Sequence, residues 1–393
     1  MQAQDSATAA GAGQQSGLEA FRRARRVVVK IGSALFVDAD TGRLDRTWLG
    51  ALCDDIASLT GAGKEVVLVS SGAVALGRRE LKFHSKRMRL EESQAAAAAG
   101  QVLLAHAYQE LLGRHGISIA QVLLTYGDSE SRRRYSNASR TLLTLLKAGA
   151  VPVVNENDTV ATQELRYGDN DRLAARVSQM ISADCLVLLS DVDGLYTSDP
   201  NTDDQAEHVA EVREISTGIL AMAGGPGSSH GSGGMHTKLE AARIALAAGC
   251  CMSIASGRVQ KPVQALLDGA RATWFVPGET PASARKQWIA GTLETNGKVT
   301  IDAGARKALE AGRSLLPAGV VSVAGHFGRG DAVIVCDAAG TELGRGLIAY
   351  GSDDARAIAG SQSDSIEAVL GYRGRDEMIH RDDLVLVKNG QSG

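Results

Sequence analysis

"VPVVNENDTVATQELRYGDNDRLAARV", from Val151 to Val177, contains the pattern from which we predict the fold. Its opening run is mostly valine, which is typical of a buried β-strand. From Asn170 the apolar residues recur at the spacing of an amphipathic helix. A strand, a polar loop and a helix in this order indicate parallel strands, because a parallel connection needs a crossover that is usually helical.

The same alternation recurs over most of the chain. Apolar runs predict strands at RVVVKI, EVVLVS, ISIAQVLL, AVPVVN, CLVLLS and CMSIAS. Helices are predicted at RTWLGALCDDIASLTGAG, SGAVALGRREL, RTLLTLLKAGA, NDRLAARVSQMIS and TKLEAARIALAAG. Strands that are apolar along nearly their whole length lie in sheets covered on both faces, so we predict an α/β fold with a mainly parallel sheet. Ligands bind such sheets beyond the carboxyl ends of the strands.

A second module begins near Gly291. Short alternating runs such as GKVTID and GVVSVAG replace the long helices, which predicts a separate, mostly β domain. From Asn296 to Gly393 there are 11 Lys and Arg against 13 Asp and Glu. An RNA-binding surface carries excess positive charge, so this count argues against an RNA partner. We predict a disordered extension at 1–24, the α/β domain at 25–290 and the β domain at 296–382.

The composition fits a globular protein. Of 393 residues, 44% are hydrophobic and 22% charged, and the net charge is −3. These values exclude a chain that is disordered throughout, and they give no basic field that would attract nucleic acid. No apolar stretch approaches the ~20 residues that cross a bilayer, so we expect no membrane partner. The five cysteines lack metal-site spacing, and we expect a cytoplasmic protein with no metal held by its side chains.

Two candidate sites end the first two strands. Lys30 precedes Gly32, where an ammonium beside exposed backbone N–H groups suits a phosphate, although a lysine at a strand end also commonly extends to water. Ser71 and Gly72 follow the second strand. Small residues at a strand-to-helix turn let a ligand approach the backbone, but the serine could simply cap the helix.

Acids and amides flank the loop of the opening stretch. Asn155 and Asp158 follow its strand, and Asp169, Asn170 and Asp171 precede its helix. One of the latter three can be an ordinary helix cap. The others repel one another unless a cation, a lysine or a metal offsets their charge, which favours a binding function. Such a cluster could hold the ammonium and carboxylate of a small zwitterion.

Lys238 follows a glycine-rich loop and lies in the first turn of a predicted helix. A lysine there opposes the helix dipole, so its position favours a bound anion beside the helix N-terminus. The loop is not a Walker A motif, since Lys238 follows Thr237 rather than glycine, and a flexible surface loop is the alternative. A weaker signal is Ser190-Asp191, which fits a nucleotide contact or an ordinary Asx turn.

Together these sites indicate phosphoryl transfer. Two lysines would neutralise an anion while the Asp and Asn clusters hold a small zwitterion and orient the lysines. Phosphoryl transfer depends on positioning and charge neutralisation more than on covalent chemistry. A carboxylate acceptor would need no general base, because its pKa of about 4.3 leaves it ionised at neutral pH.

The motifs VVKIGS, VSSGAVALGR, PVVNENDTVAT, GDNDRLAA, SDVDGLYTSDP and GSGGMHTKLEAA occur in this order along the chain. As an ordered set they make it similar to the amino acid kinase family, over about Arg25 to Arg381. SLLPAGVVSVAGHFGRGDAV resembles a PUA domain, which marks the members that phosphorylate glutamate. The resemblance implies a three-layer αβα sandwich around a mainly parallel sheet, followed by a small, mostly β PUA-like domain.

The activity that the resemblance implies is ATP-dependent phosphorylation of the γ-carboxylate of L-glutamate, the first step of proline biosynthesis. The catalytic residues would be Lys30, Lys238 and Asp171. Glutamate would be bound by Ser71, Asp158, Asn170, Asn155 and Asp169. ATP, its phosphates bridged by Mg²⁺, would contact Lys30, Ser190, Asp191, Ser232, Gly233, Gly234, Met235, His236, Thr237 and Lys238.

The resemblance also implies partners and leaves alternatives. The implied partners are proline as feedback inhibitor, further copies of the chain in a dimer or tetramer, and glutamate-5-semialdehyde dehydrogenase as recipient of the labile product. One alternative is a family member acting on a related carboxylate. Another is an RNA-binding regulatory protein with a vestigial kinase core, which the retained lysines and acids disfavour. A Rossmann dehydrogenase is disfavoured because no G-x-G-x-x-G follows the first strand.

Overall fold

The computed structural model describes residues 16–38, 41–83, 88–160, 170–224, 234–290 and 295–387. The chain divides into two compact units. The α/β unit comprises Met1–Glu130 and Asn137–Pro281, and the C-terminal unit comprises Ser131–Ser136 and Ala282–Gly393. Within the described ranges no helix is both long enough and apolar enough to cross a bilayer.

An eight-stranded sheet forms the centre of the α/β unit. Its strands are β1 (Arg26–Ile31), β2 (Glu65–Ser70), β3 (Ile119–Leu124), β4 (Val151–Glu156), β5 (Cys185–Ser190), β8 (Glu211–Val212), β9 (Cys251–Ser256) and β10 (Ala272–Phe275), while β6 (Leu195–Tyr196) and β7 (His208–Val209) pair separately. The order across the sheet is β3-β4-β2-β1-β5-β9-β10-β8. Of the neighbouring strands, β9 and β10 run antiparallel and the other pairs run parallel.

Helices connect these strands. They are α1 (residues 16–23), α2 (Arg46–Gly61), α3 (Ala73–Glu80), α4 (Leu90–Gly113), α5 (Tyr126–Glu130), α6 (Arg132–Lys147), α7 (Asn170–Ile181), α8 (Thr217–Met222), α9 (Met235–Ala247) and α10 (Pro262–Leu267). The predicted α/β fold with a mainly parallel sheet is confirmed. Strands β4 and β5 are buried along their whole length, and up to the polar residues at their carboxyl ends their sequences are apolar without alternation.

The prediction of a disordered segment at 1–24 is wrong for residues 16–24. Residues 16–23 are helical, and the side chains of Leu18, Phe21 and Ala24 are buried. The ring centroid of Phe21 lies 6.2 Å from that of Trp274 on β10. The apolar residues of this short helix therefore join the main core, and burial of an aromatic ring offsets the entropy lost on ordering the segment. Residues 1–15 lie outside the described residues.

Helix α4 is absent from the helices predicted above, although its alanine-rich sequence favours a helix. It packs unusually closely against α3. A Cβ atom on Gly77 would lie 1.7 Å from the carbonyl oxygen of Ala96, and one on Gly100 would lie 1.8 Å from that of Ala73. Only glycine permits two helix backbones to approach this far. The contact therefore positions the middle of α4 beside the turn that follows β2.

The C-terminal unit has its own sheet and core. Its five strands, β11 (Gly297–Ile301), β12 (Val320–Gly325), β13 (Ala332–Cys336), β14 (Glu342–Leu347) and β15 (Leu384–Leu386), lie in the order β12-β11-β13-β14-β15. Its helices are α11 (Pro281–Ala290), α12 (Ala303–Glu310), α13 (Ser352–Ile358) and α14 (Ile366–Leu370). Val299, Val333 and Val335 are fully buried in a cluster separate from the α/β core. The predicted small, mostly β C-terminal domain is confirmed.

Candidate active site

The side chains of Lys30, Asp171 and Lys238 meet at the carboxyl-terminal edge of the main sheet. Lys30 Nζ lies 2.5 Å from Asp171 Oδ1, and Lys238 Nζ lies 3.0 Å from Asp171 Oδ2. The exposed fractions of the three residues are 6%, 0% and 4% in chain order. One carboxylate thus bridges two ammonium groups where bulk water is nearly excluded.

Three elements bring these groups together. Lys30 lies at the carboxyl end of β1, which is hydrogen-bonded to β2 and β5. Asp171 and Lys238 lie in the first turns of α7 and α9, two helices that pack against each other. The dipole of α7 favours the negative charge of Asp171, whereas that of α9 disfavours the positive charge of Lys238. Asp171 therefore also compensates for a lysine at an unfavourable helix position.

The electrostatics of the site favour an anion. Burial by itself raises the pKa of the Asp171 carboxyl, but the charges of Lys30 and Lys238 and their hydrogen bonds more than offset burial, so this pKa lies below its ordinary value. Asp171 is therefore ionised at neutral pH. Two ammonium groups against one carboxylate leave a net positive charge, and the N-termini of α7 and α9 add to it.

A row of three buried amides adjoins this site. Asn170 Nδ2 donates to Asn155 Oδ1 at 2.9 Å, and Asn155 Nδ2 donates to Gln101 Oε1 at 2.9 Å. We call Asn170, Asn155 and Gln101 the amide row. The structure thus joins two of the residues predicted to bind glutamate. Gln101, on α4, is a residue that the sequence analysis misses, because it is one of three glutamines in an alanine-rich helix and belongs to no recognisable motif.

Ser71 lies in the turn between β2 and α3. Its hydroxyl accepts from the Ser33 N–H at 2.9 Å and donates to the Ile31 carbonyl at 3.3 Å, so it links the ends of β1 and β2. The alternative role, capping of α3 by a serine, is not observed, because Gly72 is the N-cap residue and no side-chain cap bond forms. Gly72 adopts φ = 104°, which explains the glycine in this turn.

Ser190 and Asp191 lie on the other side of β1, where β5 ends. The Ser190 hydroxyl donates to Asp191 Oδ1 at 3.0 Å, and its carbonyl accepts from the Gly257 N–H at 2.7 Å. Arg258 Nε donates to the Asp191 carbonyl at 3.1 Å. Arg258, which the sequence analysis does not single out, therefore follows β9 and extends a cationic side chain to this cluster.

The start of α9 completes the described part of the site. Gly234 is the N-cap residue, and the Thr237 hydroxyl donates to its carbonyl at 2.7 Å. His236 is exposed, and Met235 is partly buried. Asp158 lies just beyond β4 and is partly buried. Three predicted site residues, Asp169, Ser232 and Gly233, lie outside the described residues.

The structure also bears on metals and thiols. In the ranges that the structure describes, no group of three or more His, Cys, Asp and Glu side chains could hold a metal ion. All five cysteines are buried free thiols. Burial, reinforced by Asp54, raises the pKa of the Cys53 thiol to about 12. A thiol with so high a pKa is neither a good nucleophile nor a good ligand at neutral pH.

An α/β sheet in which one carboxylate bridges a lysine at the end of β1 and a lysine in the first turn of α9 is typical of enzymes that act on anionic substrates. Residues 25–256 match the amino acid kinase family, and residues 297–370 match the PUA domain. The chain belongs to the amino acid kinase family and is a kinase, so the resemblance described above is confirmed.

Individual relatives agree with this assignment. The chain is 60% identical to the glutamate 5-kinase of Paramagnetospirillum magneticum, over 92% of this chain and 98% of that protein. It is 56% identical to glutamate 5-kinase 1 of Rhizobium meliloti, over 94% of this chain and 93% of that protein. A solved carbamate kinase from Giardia lamblia bound to AMP-PNP covers 65% of this chain and 99% of its own, at 18% identity and a TM-score of 0.47, which is too low to support any inference.

Proposed function

We propose that this chain transfers the γ-phosphoryl group of ATP to the γ-carboxylate of L-glutamate, forming γ-glutamyl phosphate and ADP. Relatives that are 56–60% identical over nearly the whole chain carry the name glutamate 5-kinase. The observation that carries the proposal is the bridge that Asp171 makes between Lys30 and Lys238. It concentrates positive charge in a buried place, as transfer of a phosphoryl group requires.

The chemistry follows from these charges. A γ-carboxylate oxygen of glutamate attacks the γ-phosphorus in line, and the bond to the bridging oxygen breaks so that ADP leaves with the electron pair. The attacking group is already ionised, with a pKa of about 4.3, so no general base is required. Lys30 and Lys238 would neutralise the equatorial phosphoryl oxygens, while Asp171 keeps the two ammonium groups in position.

The two substrates would lie on opposite sides of β1. On the β2 and β4 side, glutamate would be bound by Ser71, Asn155, Asp158, Asp169 and Asn170. Asp158 supplies a charge for the substrate ammonium, while hydroxyl and amide groups donate to its carboxylates. On the β5 and β9 side, ATP would contact Lys30, Ser190, Asp191, Ser232, Gly233, Gly234, Met235, His236, Thr237 and Lys238.

With ATP bound, an accompanying Mg²⁺ would supply further positive charge to offset the charge of the phosphates. We propose that this Mg²⁺ enters with the nucleotide, because substrate phosphates are common Mg²⁺ ligands in kinases. Asp171 already pairs with both lysines, so its carboxylate serves to orient them rather than to hold a metal.

We place this reaction at the first step of proline biosynthesis, in the cytoplasm, where buried free thiols stay reduced. Acyl phosphates are labile, so the product would pass to glutamate-5-semialdehyde dehydrogenase. Feedback inhibition by proline and a dimeric or tetrameric assembly belong to the same proposal, on the strength of the family relation.

The proposal is tested by trapping the product. Purified protein, ATP and Mg²⁺ are incubated with hydroxylamine and L-glutamate, N-acetyl-L-glutamate or L-aspartate, and hydroxamate formation is measured. We expect the highest kcat/KM with L-glutamate. Preference for either other acid would instead favour a related kinase. Salt-sensitive RNA binding without ATP turnover would favour the regulatory alternative.

A further inference from the structure

We propose that Gln101 is a further residue of the substrate site. The acidic substrate has two carboxylates, and only one of them accepts the phosphoryl group. The side-chain amide of Gln101 donates a hydrogen bond to the other carboxylate. For glutamate phosphorylated at the γ position, this is the α-carboxylate. The inference rests on the proposed function. It adds Gln101 as the residue that recognises the end of the substrate that is not phosphorylated.

The position of Gln101 follows from the close packing of α3 and α4. Gly100 lies so near the Ala73 carbonyl that a Cβ atom would be 1.8 Å from it. Gln101 is the next residue along α4, and Ala73 is the first residue of α3, two positions after Ser71. On its other side Gln101 accepts from Asn155 Nδ2 at 2.9 Å. Gln101 thus joins the amide row to the part of α4 that packs on the start of α3.

The hydrogen bonds of Gln101 are incomplete. Its exposed fraction is 6%, and Oε1 is engaged by Asn155. Nε2 is buried and has no hydrogen-bond partner among the residues that the structure describes. A buried N–H donor without an acceptor is costly, and native proteins keep few of them. An anionic ligand oxygen would supply the missing acceptor.

The direction of the amide row indicates which substrate oxygen this is. The row begins at Asn170, the chain neighbour of Asp171, and proceeds through Asn155 to Gln101. The phosphoryl acceptor must lie at the lysines that Asp171 bridges, so Gln101 is at the far end of the row. A substrate with two carboxylates can place one at each end. The far carboxylate would then accept from Gln101 Nε2.

The test compares two substrates that differ only at the far carboxylate. L-glutamate and L-isoglutamine share a free γ-carboxylate, but isoglutamine carries an amide in place of the α-carboxylate. In Gln101→Glu an oxygen still accepts from Asn155, whereas the donor is replaced by an anionic oxygen. KM for L-glutamate is expected to rise about 10- to 100-fold, because a charge-assisted hydrogen bond is lost and a like charge is added.

KM of Gln101→Glu for isoglutamine should stay near the wild-type value or fall, because the substrate amide can donate to the introduced carboxylate. KM for ATP should stay close to that of the wild type. Gln101→Met, which lacks both polar atoms, should raise KM for glutamate and leave KM for isoglutamine less affected. Gln121→Glu is the matched control, since Gln121 is exposed on β3, and its constants should equal those of the wild type.

Thermal unfolding of each variant separates this role from a structural one. Equal increases in KM for glutamate and isoglutamine, together with a lowered Tm, would show that Gln101 only supports the fold. That result would overturn the inference and leave the proposed function intact. A wild-type protein that makes no hydroxamate from glutamate would overturn both.

Discussion

Lys30 Nζ lies 2.5 Å from Asp171 Oδ1, although strands β2, β3 and β4 separate these residues along the chain. The ion pair connects the middle of the sheet to the first turn of α7. Lys238 contacts the other oxygen of the same carboxylate from α9. The charge at this site therefore depends on three elements that pack together.

Removal of one lysine should impair chemistry more than folding. In Lys238→Met the hydrophobic stem is retained and Asp171 keeps Lys30 as its partner. We expect kcat to fall by about 10²- to 10³-fold, the usual effect of losing one group that stabilises charge in a transition state. Hydroxamate formation at saturating glutamate and ATP measures it.

Lys147→Met, at an exposed position of α6, is the control for loss of a lysine and should leave kcat unchanged. If folded Lys238→Met protein kept wild-type kcat, the anion site would have to lie elsewhere.

Asp171→Asn should destabilise the protein in a pH-dependent way. Loss of one partner of a buried ion pair typically costs about 3–5 kcal/mol. Folding lowers the pKa of Asp171, so its carboxylate stabilises the native state above the unfolded pKa of about 3.9, and this contribution is lost as pH falls through the folded pKa. In urea unfolding, the free energy of unfolding of the wild type should exceed that of the variant most near pH 7, and this difference should shrink below about pH 4.

Asp204→Asn, at an exposed position, should show no such difference at either pH. An advantage of the same size at pH 7 and pH 3.5 would mean that the variant acts through packing and not through charge.

Asp158→Asn should weaken substrate binding without slowing the chemical step. Loss of the charge that we propose for binding the substrate ammonium is expected to raise KM for glutamate about tenfold or more, which corresponds to about 1.4 kcal/mol. We expect kcat to change little, because an interaction equal in ground and transition states affects KM alone. Initial rates over a range of glutamate concentrations measure both constants. A fall in kcat at unchanged KM would place Asp158 with the catalytic groups instead.

The contact between α3 and α4 should tolerate no side chain. Gly77→Ala would place a methyl group 1.7 Å from the Ala96 carbonyl oxygen, so the helices must separate. Such overpacking typically costs about 1–3 kcal/mol, and occasionally more. Because α4 carries Gln101, KM for glutamate should rise as well. Urea unfolding and initial rates test the two effects.

Gly113→Ala is the matched control on α4, because a Cβ atom there meets nothing within 4 Å. It should leave KM unchanged and stabilise the protein by about 0.5–1 kcal/mol through helix propensity. Equal stability of the two variants would contradict the close approach of the helices.

Local patterns predict some features of this protein and miss others. The valine run of β4 predicts a strand that is buried on both faces, because such a strand is apolar without alternation. The spacing of apolar residues from Asn170 predicts a helix that is buried on one face. The same reasoning fails at residues 16–24, where a short segment is ordered by packing into the main core, with Phe21 next to Trp274. It also misses α4, where Gly100 is needed because the backbone of α3 packs directly against it.

From the amino-acid sequence alone we predict the alternation of strands and helices, the separate β-rich C-terminal domain and the lysines, acids and amides at the ends of elements. These features are local, since they depend on the spacing of neighbouring residues and on the preferences of strand and helix ends. The contacts of Asp171 with both Lys30 and Lys238, and the place of Gln101 at the end of the amide row, become visible only in the folded protein. Contacts of this kind depend on strand order and helix packing, which bring together residues that no local pattern relates.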